Sequence, residues 1–287
     1  MDRTLLHVFR NTPRGAETFR QSLYFGKRTG CRVCVYFPRN RAFVLRLGDE
    51  AIHVDLDRSY LYAPDTARDR ARRIAEEMGA GWEEVEPAGQ TASTLPDLEG
   101  PWTGFSLPRS MSAPQPHPWI PSAVLGPRVR SVLRAADLPV LLPAACFLPW
   151  ERVDVLYGGS EHAARAVAWG VRIARWAGVP VRIVTSREAD TDVEQLRQTL
   201  VDHDVLPELR EEWIVEERRS VREIMQDLPR DSLVTFGAYG GRGLKEKRLG
   251  SKAELALRTL PQNLLMVGPR CPWPPLEPGG DAGSSGE

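Results

Sequence analysis

One glycine-rich segment carries the residues best suited to binding phosphate. Gly237 and Gly240 follow the apolar run 233–236, and Gly250 and Ser251 stand nine residues later, ahead of a helix-forming segment. Glycines let the backbone approach an anion closely, and the free N–H groups at a helix start can bind it. The order of apolar strand, glycine loop and helix start therefore predicts a phosphate site over residues 237–251.

The basic residues of the chain are distributed in a way that supports an anion in this segment. Three of the four lysines, Lys245, Lys247 and Lys252, lie in or beside the loop, together with Arg242, whereas the chain has thirty-four arginines in all. Such a cluster creates a local positive field around a phosphate. A solvated turn with no ligand is the alternative. The order Gly250-Ser251-Lys252 reverses the G-K-[S/T] of a Walker motif, so fast hydrolysis is not expected.

The secondary-structure elements that would position this loop occur in the same order twice along the chain. Each half has strand–helix–glycine–strand order, predicted at residues 5–9, 16–29 and 32–37, and again at 153–157, 161–177 and 179–185. Each half also ends in a helix, a proline-marked turn and a fully apolar strand, at 139–142 and 263–267. Fully apolar strands are typical of parallel sheets covered on both faces, so we expect a doubly wound α/β fold.

The repeat predicts two domains and a tail. Residues 1–148 form a first domain with an inserted hairpin at 43–55, residues 149–270 a second domain with the phosphate loop, and 271–287 a Pro/Gly/Ser-rich, disordered tail. Asp154 falls inside a predicted strand. Because burying a carboxylate is costly, we expect it at the edge of the strand.

The composition of the chain argues against several classes of function. The 287 residues carry no net charge, which gives no electrostatic reason to expect a nucleic-acid partner. No apolar run approaches the roughly 20 residues that span a bilayer, and no signal peptide is evident, so we expect a cytoplasmic protein with reduced cysteines. Cys31 and Cys34 form a CxxC, but in a strand rather than at a helix start, which favours buried thiols over a redox or metal site.

These residues together resemble the universal stress protein (UspA-type) family in its tandem two-domain form. Nucleotide-binding members carry G-x-x-G, nine residues and G-[S/T], which Gly237, Gly240, Gly250 and Ser251 match. The lead-in of the family, a strand followed by Asp-Gly-Ser and a helix, is matched by residues 157–162 except at Gly158, which stands in place of the aspartate. The order of elements matches in both halves, and the sequence pattern mainly in the second.

The resemblance implies two tandem Rossmann-like (adenine nucleotide alpha hydrolase-like) domains, each a mainly parallel five-stranded sheet flanked by helices. It also implies ATP or another adenine nucleotide, with or without Mg²⁺, at the second-domain loop. The implied binding residues are Gly237, Gly240, Arg242, Gly250, Ser251, Lys252, Val184 and Gly158. Val184 would offer backbone contacts to adenine. The last strands of the two domains would pair as an intramolecular pseudo-dimer, with a further homodimer left open.

The departures from the family pattern weaken the site. Gly158 lacks a carboxylate that contacts the nucleotide, and a lost buried polar pairing costs about 1–3 kcal/mol. The first half has no glycine loop, and its counterpart of Gly250-Ser251 is Gly126-Pro127, where proline lacks an N–H donor. We therefore expect a first domain without a site.

Three functions follow from these expectations. The leading one is a non-enzymatic stress-response regulator that binds ATP or a related nucleotide in the second domain and acts on an unidentified protein partner. The second is an interaction scaffold that has lost nucleotide binding. The third is a slow ATPase or nucleotidyl-transferring enzyme.

Overall fold

A computed structural model describes residues 3–47, 49–90, 95–109, 127–187, 192–202, 213–217, 219–239 and 250–275 of the 287-residue chain. The first half contains β1 (Thr4–Val8), α1 (Pro13–Thr29), β2 (Arg32–Tyr36), β3 (Ala42–Leu47), β4 (Glu50–Asp55), a 3-10 turn (Arg58–Leu61), α2 (Pro64–Met78), β5 (Glu83–Glu84), β6 (Gly89–Gln90), β7 (Pro96–Leu98), β8 (Gly104–Ser106), α3 (Pro127–Ala135) and β9 (Val140–Leu142).

The second half repeats the plan with fewer strands. Its elements are β10 (Arg152–Leu156), α4 (Glu161–Ala177), β11 (Val181–Arg187), α5 (Val193–Asp202), β12 (Trp213–Glu217), α6 (Val221–Asp227), β13 (Ser232–Gly237), α7 (Ser251–Thr259) and β14 (Asn263–Val267).

The two halves share one ten-stranded sheet with the order β12-β11-β10-β13-β14-β9-β8-β1-β2-β5. Within each half the five strands are parallel and follow the same order, third-second-first-fourth-fifth. The halves meet where β14 pairs antiparallel with β9, with Leu265 opposite Leu141. The predicted α/β fold, with two Rossmann-like sheets joined through their last strands, is confirmed.

A second, four-stranded sheet with the order β4-β3-β7-β6 sets the first half apart from the second. The predicted hairpin is its β3–β4 pair. In the second half, α6 connects the third strand to the fourth and packs on α7; in the first half, β6 and β7 make that connection, and β4 packs on α3. The small sheet thus takes the place of one helix of the repeat. Phe43 and Leu45 of β3 point into the core and are fully buried.

Local signals in the sequence define the central helices. Ser160 caps α4 by accepting a hydrogen bond from the Ala163 amide at 3.2 Å, and Gly178 ends that helix with a left-handed φ of 63°. Ser220 and Glu223 form the capping box that opens α6. The N-terminal caps satisfy amide groups, and the Gly178 amide satisfies the carbonyls of Ala174 and Arg175, that a helix leaves without internal partners. This explains why the boundaries of α4 are those predicted from sequence.

Asp154 corrects one expectation. The residue lies in the middle of β10 and is fully buried rather than at a strand edge. Its carboxylate accepts hydrogen bonds from Arg182 Nε at 2.6 Å and from Ser232 Oγ at 2.5 Å, so partners on both neighbouring strands offset the cost of burial. These partners are separated from Asp154 by 28 and 78 positions and were not recognised in the sequence.

The start of the tail needs a second correction. Residues 271–275, predicted to be disordered, pack on α4, and Cys271 is fully buried. Donors on α4 bind the main-chain carbonyls of this segment, for example Trp169 Nε1 to the carbonyl of Pro272 at 2.9 Å. Composition suggested disorder because proline and glycine dominate the tail, but prolines leave carbonyls free to accept. Residues 276–287 lie outside the described part, and the predicted domain boundary at 148/149 stays a prediction.

The two residues of the CxxC are buried free thiols. Burial raises the pKa of both Cys31 and Cys34, the opposite of the depressed pKa of a reactive cysteine. The structure therefore gives no support to a redox role for this pair.

Candidate functional site

The order of strands in the second half creates one crevice suited to a ligand. The chain winds from β10 towards β11 and β12, then returns to place β13 on the other side of β10. Loops that leave the carboxyl ends of β10 and β13 therefore diverge to opposite faces of the sheet. Ligands of open α/β sheets bind in the crevice at such a point. The two loops are residues 157–160 and the glycine-rich segment after Gly237.

The glycine-rich loop is closed at its base by backbone hydrogen bonds. The Gly250 amide donates to the carbonyl of Ala238 at 3.2 Å, and the Ala238 amide donates to the carbonyl of Val267 at 2.9 Å. The two ends of the loop are therefore held together beside β14. Gly240 and Arg242, with Lys245 and Lys247, lie outside the described residues, so their predicted contact with phosphate stays a prediction.

The N-terminus of α7 faces the base of this loop. Gly250 is its N-cap residue, in extended conformation, and no side chain caps the helix there. An uncapped helix start leaves amide groups and the positive end of the helix dipole available to an anion. Gly250 and the backbone of Ser251 thus stand where the sequence predicted them, at the start of the helix.

Lys252 brings a cation to the loop after β10. A Cβ placed on Gly158 would lie 3.8 Å from Lys252 Nζ. Both residues are exposed. Sequence reasoning named both residues but missed their proximity, which depends on two loops 94 positions apart. Gly158 is therefore next to an ammonium group.

Gly237 has a packing role that differs from the predicted one. A Cβ at this position would stand 3.0 Å from Ala163 N and 3.0 Å from the carbonyl carbon of His162, both in the first turn of α4. Such contacts are closer than real Cβ atoms normally make. A side chain at this position would therefore press on the helix backbone where the end of β13 approaches α4, and the predicted contact of Gly237 with phosphate is not tested by this geometry.

Val184 lies inside a strand rather than at its end. β11 continues to Arg187, and the carbonyl of Val184 accepts a hydrogen bond from the Tyr157 amide at 3.0 Å. Val184 is also buried. The Val184 carbonyl therefore contacts the first residue of the loop that carries Gly158, and its predicted backbone contact with adenine stays a prediction.

The first half has a different residue at the position of Gly158. Both lead-in loops have four residues, and Arg10 stands second in the first loop, as Gly158 does in the second. Arg10 donates from Nε to Ser59 Oγ at 2.6 Å and pairs with Asp57 at 3.2 Å. The segment inserted after β4 therefore supplies a carboxylate and a hydroxyl to the arginine of this loop.

Contacts with the first half hold both ends of the site helix. Near its N-terminus, Glu254 pairs with Arg130 of α3 at 3.6 Å, and Tyr239 Oη donates to the Arg130 carbonyl at 3.0 Å. After its C-terminus, Arg109 donates to the carbonyl of Leu260 at 2.7 Å. Burial lowers the pKa of the Arg109 guanidinium to about 10. Residues of the first half thus help to fix α7 in position.

The described residues also bear on metal binding and on membrane crossing. These residues contain no group of three or more His, Cys, Asp or Glu side chains that could hold a metal ion. Among the helices they include, none is both long and apolar enough to cross a membrane.

Comparison with known proteins identifies the fold. A scan against protein-family models gave no match, and a search of curated proteins gave none either. Among solved structures, a universal stress protein from Archaeoglobus fulgidus DSM 4304 matches 93% of this chain and 98% of its own, with 17% identity and a TM-score of 0.58.

Two structures from Pseudomonas aeruginosa extend the match. A putative universal stress protein from strain UCBPP-PA14 covers 94% of each chain at 15% identity and a TM-score of 0.54. A functionally unknown protein from strain PAO1 covers 94% of this chain and 93% of its own, at 14% identity and the same TM-score. Full-length coverage on both sides means that the match extends over both halves. The chain therefore has the fold of a tandem, UspA-type universal stress protein.

Proposed function

We propose that the protein is a stress-response regulator that binds ATP or a related adenine nucleotide in the crevice between β10 and β13. The observation that carries this proposal is the uncapped N-terminus of α7, which stands at the switch point of the sheet beside Lys252. A phosphate there would accept hydrogen bonds from the backbone at Gly250 and Ser251. The expected cytoplasmic location and the unidentified protein partner are parts of the same proposal.

The charge of Lys252 supports phosphate, rather than a ribose, as the group bound beside Gly158 in this proposal. Lys252 Nζ near Gly158 supplies positive charge in the space where a carboxylate would accept hydrogen bonds from sugar hydroxyls. We therefore expect the affinity to follow the number of phosphates, with ATP above ADP and AMP. Any Mg²⁺ would bind mainly through the phosphates, because the described residues offer no ready metal site.

Isothermal titration with ATP, ADP, AMP and cyclic AMP, each with and without Mg²⁺, tests the proposal. Lys252→Gln should weaken ATP binding about tenfold or more, as expected for the loss of a charge-assisted hydrogen bond. Lys27→Gln is the matched control, because Lys27 lies on α1 and its Nζ donates to the Met78 carbonyl, within the first half. The absence of binding below millimolar concentration for all four nucleotides would refute the proposal.

A non-catalytic role is part of the proposal. The described parts of the loops that border the crevice, residues 157–160, 238–239 and 250, contain no His, Asp, Glu, Lys or Cys, and the hydroxyls of Tyr157 and Tyr239 donate to the carbonyls of Leu196 and Arg130. A slow ATPase would show linear, enzyme-dependent phosphate release that Ser251→Ala abolishes. We expect a flat trace.

An interaction scaffold without a nucleotide is the second candidate, and the absence of a carboxylate at Gly158 favours it. Replacing Gly240 or Gly250 with valine distinguishes the two functions, provided that the circular dichroism spectrum shows a folded protein. A scaffold should retain partner binding in these variants. A nucleotide-dependent regulator should lose nucleotide binding and, with it, any nucleotide-dependent change in partner affinity.

A further inference from the structure

Residues 269–275 lie along one side of α4, and we call this segment the strap. Three side chains of α4 donate to its main-chain carbonyls. Arg165 Nη1 contacts the carbonyls of Pro269 and Cys271 at 2.9 and 3.0 Å. Trp169 Nε1 contacts that of Pro272 at 2.9 Å, and Arg172 Nη1 contacts that of Pro275 at 2.5 Å.

The donors and acceptors follow two matching repeats. Arg165, Trp169 and Arg172 are spaced four and three positions apart, so they share one face of the helix. The proline acceptors recur every third residue, at Pro269, Pro272 and Pro275. The strap begins with a turn, in which the Cys271 amide donates to the Gly268 carbonyl at 3.3 Å. The strap is therefore held mainly through main-chain carbonyls, three of which belong to prolines at three-residue spacing.

Two apolar side chains add contact area to these hydrogen bonds. Cys271 is fully buried in a small cluster with Ala166, Trp169 and Val267, and Trp176 packs against that cluster. Trp273 packs, partly buried, against a core cluster that consists mainly of second-half residues. The face formed by Arg165, Trp169, Arg172 and Trp176, here named the α4 groove, thus combines aromatic surface with guanidinium and indole donors. Aromatic-lined grooves are the usual receptors of proline-rich peptides.

The position of the strap makes it separable from the fold. It comes after β14, the last strand of the sheet, and its residues have no ladder hydrogen bonds to any strand. Segments after the last strand open with much smaller free energies than the core requires. Release of the strap would therefore expose the α4 groove while the ten-stranded sheet stays intact.

We propose that the α4 groove is a binding surface for proline-rich segments of other proteins, and that the strap occupies it as an internal competitor. The partner would carry prolines at three-residue spacing, with an apolar residue between the first two that takes the place of Cys271. Because the strap is tethered, its effective concentration is in the millimolar range. A partner must therefore bind with several such contacts, or be locally concentrated, to displace it.

The thiol of Cys271 reports whether the strap is seated. Burial raises its pKa to about 12, so the thiol reacts slowly while it is covered. The experiment uses the full chain with Cys146→Ser, which removes the exposed cysteine, and measures labelling of Cys271 by mass spectrometry. The buried Cys31 and Cys34 serve as references for global unfolding.

A capped peptide with the sequence of residues 268–275, carrying alanine in place of Cys271, is the probe. At millimolar concentration it should speed the labelling of Cys271 about threefold or more, with no change at Cys31. A peptide of the same composition, scrambled so that no two prolines are three residues apart, is the control. Equal rates with both peptides, or no acceleration by the first, would overturn the proposal.

Variants of the α4 groove distinguish a loss of peptide binding from a loss of folding. Trp169→Phe keeps the ring and removes the indole donor, and Arg172→Gln removes the guanidinium; both should raise the basal labelling rate of Cys271 and weaken the effect of the peptide. Arg175→Gln is the matched control, since Arg175 is exposed on the same helix. Thermal unfolding by circular dichroism identifies any variant that no longer folds. Rates that stay at the parent value in both groove variants would contradict the proposed contacts.

Discussion

His7, Ser22 and Ser106 form a buried polar cluster between β1, α1 and β8. His7 Nδ1 lies 3.0 Å from Ser22 Oγ and 3.4 Å from Ser106 Oγ, and the two hydroxyl oxygens are 2.7 Å apart. Burial lowers the pKa of His7 to about 3, because removal from water disfavours the charged imidazolium. The group is therefore neutral in the folded state across the physiological range.

This histidine should make the protein sensitive to mild acid. In the unfolded state the histidine has a pKa near 6.5 and binds a proton, whereas in the folded state it stays neutral. The free energy of unfolding is therefore highest above pH 6.5 and falls as the pH decreases towards 3. Between pH 7 and pH 5 we expect a loss of about 2 kcal/mol in the free energy of unfolding, measured with urea. His7→Asn should be less stable at pH 7 but lose about 2 kcal/mol less over this interval. An unchanged pH dependence in the variant would contradict the assignment.

Individual residues also show which contacts could be predicted from the sequence and which could not. Gly237, Gly250 and Ser251 were placed correctly at a strand end and a helix start, because glycine patterns report local backbone needs. The partners of Asp154 and the approach of Lys252 to Gly158 depend on residues distant in the chain, and no local pattern encodes them. Gly237 illustrates the ambiguity, since a glycine needed for helix packing has the same appearance as one needed for a ligand.

Helix α2 begins with an unusual residue. Ala63, its N-cap, has a φ of 45° and a ψ of 59°, in the left-handed region that costs a residue with a Cβ about 1 kcal/mol. Asn11 Nδ2 donates to its carbonyl at 2.8 Å, and Thr66 Oγ1 does so at 3.0 Å. These bonds hold the strained turn beside the first-half loop that carries Arg10.

Replacing Ala63 with glycine should relieve this strain. We expect Ala63→Gly to raise the free energy of unfolding by about 0.5–1 kcal/mol, because glycine adopts this conformation freely. The matched control is Ala67→Gly, one turn inside α2, which should lower stability by about 1 kcal/mol or more. Urea titrations of the two variants measure both effects, and changes of the same sign would refute the argument.

Helices and strands were predictable where residues close together in the chain determine them. Helices α1, α4 and α6 have caps or glycine stops in the sequence, and the apolar runs gave β1, β2, β10, β13 and β14. Strands β5 to β8 have two or three residues each, and their pairing partners include strands far away in the chain. Short strands of this kind form because neighbours already present a sheet edge, so their own residues carry little signal.

The whole molecule is joined by a buried polar network at the connection between the halves. Asn263 Nδ2 donates to the Leu148 carbonyl at 2.8 Å and to Gln21 Oε1 at 3.2 Å, while Asn263 Oδ1 accepts from the Ala144 amide at 2.9 Å. Asn263 starts β14, Gln21 belongs to α1, and residues 144–148 form the connection. One side chain thus links both halves and the segment between them.

Removing this side chain should weaken the unit as a whole. Asn263→Ala removes the partner of the Ala144 amide, the Leu148 carbonyl and Gln21 Oε1, at a cost of about 2–4 kcal/mol in the free energy of unfolding. The amide of Ala144 should then exchange its hydrogen faster than amides in β10. Gln198→Ala, which removes an exposed contact with Asp202, should change stability by less than about 0.5 kcal/mol. A loss of that small size in Asn263→Ala would show that the network is dispensable.

The antiparallel pairing of β9 with β14 has a consequence for how the molecule can diverge. Two separate copies related by a twofold axis must accept every mutation on both sides, so an insertion beside one strand would be repeated beside the other. In this chain the two halves belong to a single polypeptide, so each half can vary alone. The first half contains a second sheet and has Arg10 in its lead-in loop, while the second half has Gly158 there and an uncapped start of α7. A single chain can thus combine two unlike halves in one sheet, which two identical copies cannot do.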